Sequence, residues 1–139
     1  MIEEAYVSFE TAKLLKKKGF DAFTFAYYSK DDEHSEPVFG MDSLCSDNWN
    51  GQPDEVNDLW WSAPTQQMAM CWLREVYNQH IVIQAYNNVA LLKTDYYVEI
   101  QNLNEPTKKG YCVNGCMRKG TYEEAVESAI KYCLTNLIK

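Results

Sequence analysis

The sequence lacks any run of about 18 apolar residues, and this absence excludes a membrane-spanning helix. Its first ten residues, MIEEAYVSFE, are acidic and contain no apolar stretch of the signal-peptide type. The 139 residues include five Cys, and an odd number without a secretion signal favours reduced thiols over a disulfide framework. We therefore expect a cytoplasmic protein with no membrane partner.

The common motifs of enzyme active sites are also missing. There is no G-x-x-x-x-G-K-[ST] or G-x-G-x-x-G phosphate loop, no G-x-S-x-G nucleophile elbow and no H-E-x-x-H metal site. Cys112 and Cys116 are separated by three residues, which differs from the C-x-x-C spacing of zinc knuckles. With only two His to act as bases, we predict no metal, no cofactor and a binding protein rather than an enzyme.

Charge is segregated along the chain. The net charge is -7, but residues 31–58 contain nine of the 20 acids and no Lys or Arg. The rest of the chain carries 13 basic and 11 acidic residues and is close to neutral. A partner is therefore better inferred from this segment than from the overall charge.

Hydrophobic periodicity predicts three helices. The first covers residues 8–18, with Ser8 as N-cap and Gly19 just past its end. The second begins at or just after Pro64, with Thr65 as cap, and the third follows the capping box Thr121–Glu124. The predicted buried residues of the second helix are Met68, Ala69, Trp72, Leu73 and Val76; those of the third are Val126, Ala129, Ile130, Cys133, Leu134 and Leu137.

Alternating aromatic and β-branched residues predict strands at 23–29, 80–86 and 95–103, and short strands at PVFGM (37–41) and YCV (111–113). The predicted fold class is α+β, a small antiparallel sheet of three to four strands packed by about three helices. The element order is α-β-(acidic loop)-α-β-β-(β)-α. We expect one domain over residues 1–139, with a long acidic loop at about 30–58.

Three stretches carry a resemblance: AYVSFETAKLLKKKGFD (5–21), SAPTQQMAMCWLRE (62–75) and TYEEAVESAIKYCL (121–134). Together they resemble uncharacterised small hypothetical proteins of phages and mobile elements of gut Bacteroidetes, which implies a genetic context and no catalytic residues. Residues 80–137 are also similar in pattern to the strand-strand-helix unit of HicB-type antitoxins and to double-stranded-RNA-binding folds.

The acidic segment is the first candidate site. Its acids and Trp residues suit a protein interface, and an acidic surface with aromatic side chains fits a basic site on a host protein. We expect a non-enzymatic accessory protein of a phage or mobile element that binds a host protein partner through this loop. The partner-binding residues that we predict are Asp31, Asp32, Glu33, Trp49 and Asp54.

The basic turn at 108–119 is the alternative. Four cations and a Tyr occur there without an acid between them, a composition that could bind a small ligand, a nucleotide or nucleic acid. The residues of this alternative site are Lys108, Lys109, Tyr111, Arg118 and Lys119. An exposed loop kept polar by Lys, or a turn facing the acidic segment within the fold, would explain the same residues.

Overall fold

The computed structural model describes residues 2–30, 36–39, 46–56, 58–112 and 119–139. Within it, the chain divides into two compact units, Met1–Gln67 and Met68–Lys139. Helices and antiparallel sheets occur together, so the predicted α+β class is confirmed. The strands form two three-stranded sheets, however, where the sequence predicted a single one. Across the part of the chain that is described, no helix combines the length and apolar character needed to cross a membrane.

The helices and strands follow the predicted order, with one added strand. In chain order they are α1 (Phe9–Lys17), β1 (Ala26–Ser29), β2 (Val38–Phe39), a 3-10 turn (Trp49–Gly51), β3 (Trp60–Ala63), α2 (Gln66–Tyr77), β4 (Gln79–Asn88), β5 (Lys93–Asn102), β6 (Tyr111–Cys112), α3 (Tyr122–Tyr132) and a π-helical turn (Cys133–Leu137). The addition is β3, which was not predicted because its four residues show no alternation between buried and exposed positions.

Local capping signals set the ends of α1. The Ser8 hydroxyl accepts a hydrogen bond from the Thr11 amide, as expected of an N-cap. At the other end, Gly19 has a φ of 91°, its amide donates to the Lys16 carbonyl, and the Phe20 amide donates to the Leu15 carbonyl. This pair of bonds is a Schellman motif, which confirms Gly19 as the residue just past the helix, and Phe20 after it is buried.

In the first unit, β1 lies between β2 and β3 and is antiparallel to both. Thr24, Ala26 and Tyr28 are buried, and Tyr28 donates its hydroxyl to the Val7 carbonyl at 2.6 Å. Helix α1 packs on β3. The buried residues of this unit include Val7, Ala12, Leu15, Phe20, Ala26, Tyr28 and Ala63. The short edge strand predicted in PVFGM is confirmed as β2.

The second unit is built on the β4–β5 hairpin, with β6 on the far side of β5 and α3 packed against both long strands. The hydroxyl of Thr121 accepts from the Glu124 amide at 3.1 Å, which confirms the predicted start of α3. The buried side chains between helix and sheet are Ile81, Val98, Ile100, Ala125, Val126, Ala129, Ile130, Cys133 and Leu134. Leu137, predicted with them, is only half-buried.

Helix α2 departs from its prediction at its last turn. Ala69, Trp72 and Leu73 are buried as expected, but Val76 is 54% exposed, so its predicted burial was wrong. Val76 continues the apolar spacing to the point where the chain leaves the helix. Asn78 adopts a φ of 56°, a left-handed conformation that Asn tolerates, and starts the turn into β4.

The Schellman motif predicts the effect of Gly19→Ala. No atom lies within 4 Å of the position that a Cβ would occupy, so the cost is purely conformational. We expect the free energy of unfolding to fall by about 1 kcal/mol, measured by urea denaturation. The matched control is Gly120→Ala, where space is also open but φ is not positive, and it should change stability by less than half as much. Equal losses in the two variants would contradict a conformational origin.

Candidate functional site

A short turn fixes part of the acidic segment onto the first sheet. Thr24 and Asp47 exchange two backbone hydrogen bonds of 3.0 and 3.1 Å. Two residues later, the indole Nε1 of Trp49 donates to the Thr24 carbonyl at 2.9 Å. Residues 46–52 are therefore attached to the strand through both backbone and side chain, where the sequence predicted only a loop.

Asn50 extends this attachment in two directions. Its Nδ2 donates to the carbonyl of Phe20 at 2.9 Å, and its Oδ1 accepts from the Ser62 amide at 2.9 Å. Phe20 follows α1 and Ser62 lies on β3, so one amide joins the end of the helix to the edge of the sheet. Asn48 supports the turn from within, because its side-chain oxygen accepts from the amides of Asn50 and Gly51.

Four aromatic side chains form an outer aromatic face on this unit: Phe23, Phe25, Tyr27 and Trp49. Tyr27 belongs to β1, and Phe23 and Phe25 directly precede this strand. All three are more exposed than Thr24, Ala26 and Tyr28, which alternate with them along the chain and are buried. Phe23 is 63% exposed and Phe25 is 50% exposed. Tyr27 and Trp49 are half-buried and their rings contact each other, with centroids 4.3 Å apart and planes tilted by 31°.

Three further acidic residues follow Trp49 in the sequence. Asp54, Glu55 and Asp58 are all exposed. Asp58 acts on Lys16 of α1: burial lowers the pKa of this ammonium group, and the nearby carboxylate partly opposes that shift. Lys16 also donates to the Trp60 carbonyl at 2.8 Å and lies 5.2 Å from the centre of the Trp61 ring. Lys16 and Asp58 therefore interact within the unit. Asp54 and Glu55, which follow the turn at residues 46–52, are exposed.

Only part of the predicted partner site can be located. Asp31, Asp32 and Glu33 lie outside the described residues. Trp49 lies within the anchored turn, and Asp54 follows it. Trp49, predicted as a partner-binding residue, is half-buried because its indole bonds to Thr24 and its ring contacts Tyr27.

Sequence reasoning missed Phe23 and Phe25 as surface residues. The alternation in FTFAY was visible, but it predicts only that two faces exist. Which face is buried depends on tertiary contacts such as the Tyr28–Val7 hydrogen bond, which joins residues 21 positions apart and leaves no local signal in the sequence.

The alternative site on the basic turn is mixed in charge. A cavity of about 490 Å³ lies between the outer side of β5 and the loop after it, and Lys108 and Lys109 line it together with Glu99, Gln101 and Glu105. Lys108 is paired with Glu105 at 2.9 Å. Because carboxylates line the same cavity, positive charge is not concentrated there as a phosphate group would require.

Of the other residues of the basic turn, Lys119 is the one whose side chain is described. Tyr111 belongs to β6, but its side chain is not described, and Arg118 lies outside the described residues. Lys119 is half-buried and pairs with Tyr96 through two backbone hydrogen bonds. Among the residues that the structure describes, no three His, Cys, Asp or Glu side chains come together as metal ligands.

The double role of Asn50 predicts a large effect of Asn50→Ala. The substitution leaves the Phe20 carbonyl and the amide of the buried Ser62 without their side-chain partner. We expect the free energy of unfolding to fall by about 2–3 kcal/mol in urea denaturation. Asn136→Ala is the control, because the exposed Asn136 amide makes one bond to Tyr132, and its loss should be within about 0.5 kcal/mol. Similar losses in both variants would show that Asn50 is not a structural link.

Comparison with known proteins adds no assignment to these surfaces. Neither protein-family models, nor curated proteins, nor solved structures give a match to this chain. A functional proposal therefore depends on the geometry of the described residues: an anchored aromatic face followed by exposed acids, and a cavity with charges of both signs.

Proposed function

We propose that the chain is a non-enzymatic binding module whose outer aromatic face and neighbouring acids bind a basic surface of a host protein. In this proposal it is an accessory protein of a phage or mobile element and acts inside the host cell. The observation that carries the proposal is the pair of exposed Phe side chains beside the anchored Tyr27–Trp49 stack. Exposed aromatic clusters rimmed by polar groups are typical of protein-binding sites.

Rigidity supports this use of the surface. Trp49 is held by its bond to the Thr24 carbonyl, and the turn that carries it is held by Asn50. An aromatic group that is already fixed loses little conformational entropy on binding, so more of its burial contributes to affinity. The stack would therefore act as a preformed platform, with Phe23 and Phe25 as the side chains that become buried in the complex.

Charge supports a basic partner. Asp54 and Glu55 are exposed, and residues 31–58 contain no Lys or Arg. Acids at the rim of an interface accelerate association with a basic surface and prevent association with an acidic one, and salt weakens both effects. Asp31, Asp32 and Glu33 remain predicted partner-binding residues on the basis of the sequence.

The test is a double substitution, Phe23→Ser with Phe25→Ser. Both side chains are at least half-exposed, so the melting temperature should stay within about 2 °C of the wild-type value. Proteins captured by the wild-type chain from a host lysate are identified and then titrated individually by calorimetry. We expect the double variant to bind its partner at least about tenfold more weakly, because two aromatic contacts are lost.

The matched control is Ile2→Ser, an exposed apolar residue of the same unit that lies outside the outer aromatic face. It should bind the partner with wild-type affinity. Equal affinities of the double variant and the wild type would reject the proposal, and so would a partner whose binding strengthens as salt is raised.

A second candidate is the binding of a small ligand in the β5 cavity. Its supporting observation is the combination of about 490 Å³ with cationic, anionic and amide groups, which suits a small polar molecule bearing both charges better than nucleic acid. Native mass spectrometry of the protein purified from its own host should then detect a bound mass that Lys109→Ala reduces. An unchanged bound mass in that variant, or none in the wild type, would reject this use of the cavity.

A further inference from the structure

Strand β4 has one unoccupied side in the described part of the chain. It lies at the edge of its sheet, paired only with β5 over ten consecutive residue pairs from Gln79↔Asn102 to Asn88↔Lys93. This register contains no bulge. A regular edge strand of this length presents a row of backbone donors and acceptors to any strand that can reach it.

The hydrogen-bond pattern identifies which backbone groups face that side. The Leu103 amide donates to the Asn78 carbonyl, so these opposed residues are a hydrogen-bonded pair. Such pairs alternate along an antiparallel ladder, so even-numbered residues of β4 bond to β5 and odd-numbered residues point away. The open side is therefore formed by the backbone of Ile81, Ile83, Ala85 and Asn87. Tyr96 confirms the alternation, because it lies opposite Ala85 and exchanges both of its bonds with Lys119 instead.

The sequence of β4 does nothing to block pairing on this side. QHIVIQAYNN contains no Lys, Arg, Asp, Glu or Pro, which are the residues that usually prevent an edge strand from pairing. Residues 84–87 are exposed, so the second half of the strand is accessible. In a chain of net charge -7, an edge strand without charge is where two identical copies meet with the least repulsion.

Exposed apolar residues lie at both ends of the hairpin. At its tip, Val89, Leu91 and Leu92 are 82%, 63% and 91% exposed. At its base, Val76 and Leu103 are also exposed. If two copies of β4 pair in antiparallel fashion, the tip of one hairpin comes beside the base of the other, and both groups lose contact with water.

We propose that the chain forms a twofold dimer in which β4 pairs with β4 of a second copy, with the axis close to Ala85. The β4–β5–β6 sheets of the two copies then form one continuous six-stranded sheet. Residues 81–87 supply its new backbone hydrogen bonds, and the tip and base residues supply its apolar contacts. This interface lies in the second unit and is independent of the outer aromatic face.

The first test removes one backbone amide that faces the open side of β4 and keeps the hydrogen bonds between β4 and β5. Ala85 does not bond to β5, so Ala85→Pro deletes an amide that faces only the open side, and proline is accepted at such edge positions. In sedimentation equilibrium, the wild-type mass should rise with concentration from 16.1 kDa toward twice that value. Twofold symmetry doubles the loss, so we expect the variant to raise the dimer Kd at least about tenfold.

Ala85→Ser is the matched control, since it keeps the amide and should dimerise as the wild type does. A second variant, Leu92→Gly, covers the case in which Ala85→Pro fails to fold. Leu92 has a φ of 52°, which Gly adopts without strain, so this variant should be at least as stable as the wild type while dimerising more weakly. A wild type that stays at 16.1 kDa, an Ala85→Pro that matches Ala85→Ser, or a mass rising beyond two copies would each overturn the proposal.

Discussion

In the first unit, the side chain of Asn50 joins the end of α1 to the edge of the sheet. Its Nδ2 donates to the Phe20 carbonyl just after α1, and its Oδ1 accepts from the Ser62 amide on β3. Buried backbone groups must be paired somewhere, so this turn completes the hydrogen bonding of both elements at once. The acidic segment is consequently part of the structure where it passes the sheet, and the outer aromatic face has its present form because the turn is held there.

That constraint explains why Trp49 has two roles. Its indole nitrogen bonds to Thr24 and its ring contacts Tyr27, so it contributes to the unit before any partner is present. Substitution of Trp49 therefore changes the stability of the turn as well as any binding, so its effect on affinity is not a measure of binding alone. Phe23 and Phe25 differ, since half or more of each ring faces solvent and the fold does not need that exposed surface. In the proposed complex, affinity and stability would therefore depend on neighbouring but different side chains.

The features that were predictable from sequence are those set by neighbours along the chain. Ser8, Gly19 and Thr121 act within one helical turn, and each was identified from residue type and spacing. The features that were missed involve distant partners. The Trp49–Thr24 bond spans 25 residues, β3 has no alternation of its own, and the division of the strands into two sheets is decided by pairings that no local pattern specifies. The predicted burial of Val76 was wrong for a related reason. Helical spacing identifies an apolar stripe but not the residue at which its burial ends.

The alternation of backbone hydrogen bonds along β4 determines which substitutions in this strand affect the hairpin. Even-numbered residues hold the hairpin together through their backbone bonds, and odd-numbered residues direct theirs to the open edge. A substitution that alters the backbone at an odd position therefore leaves the hairpin ladder complete, whereas the same substitution one residue away breaks it. Of the odd-numbered residues, Ile81 is buried in the core, whereas Ala85 and Asn87 are exposed. A backbone change at Ala85 or Asn87 therefore alters the open edge and leaves both the core and the hairpin ladder in place.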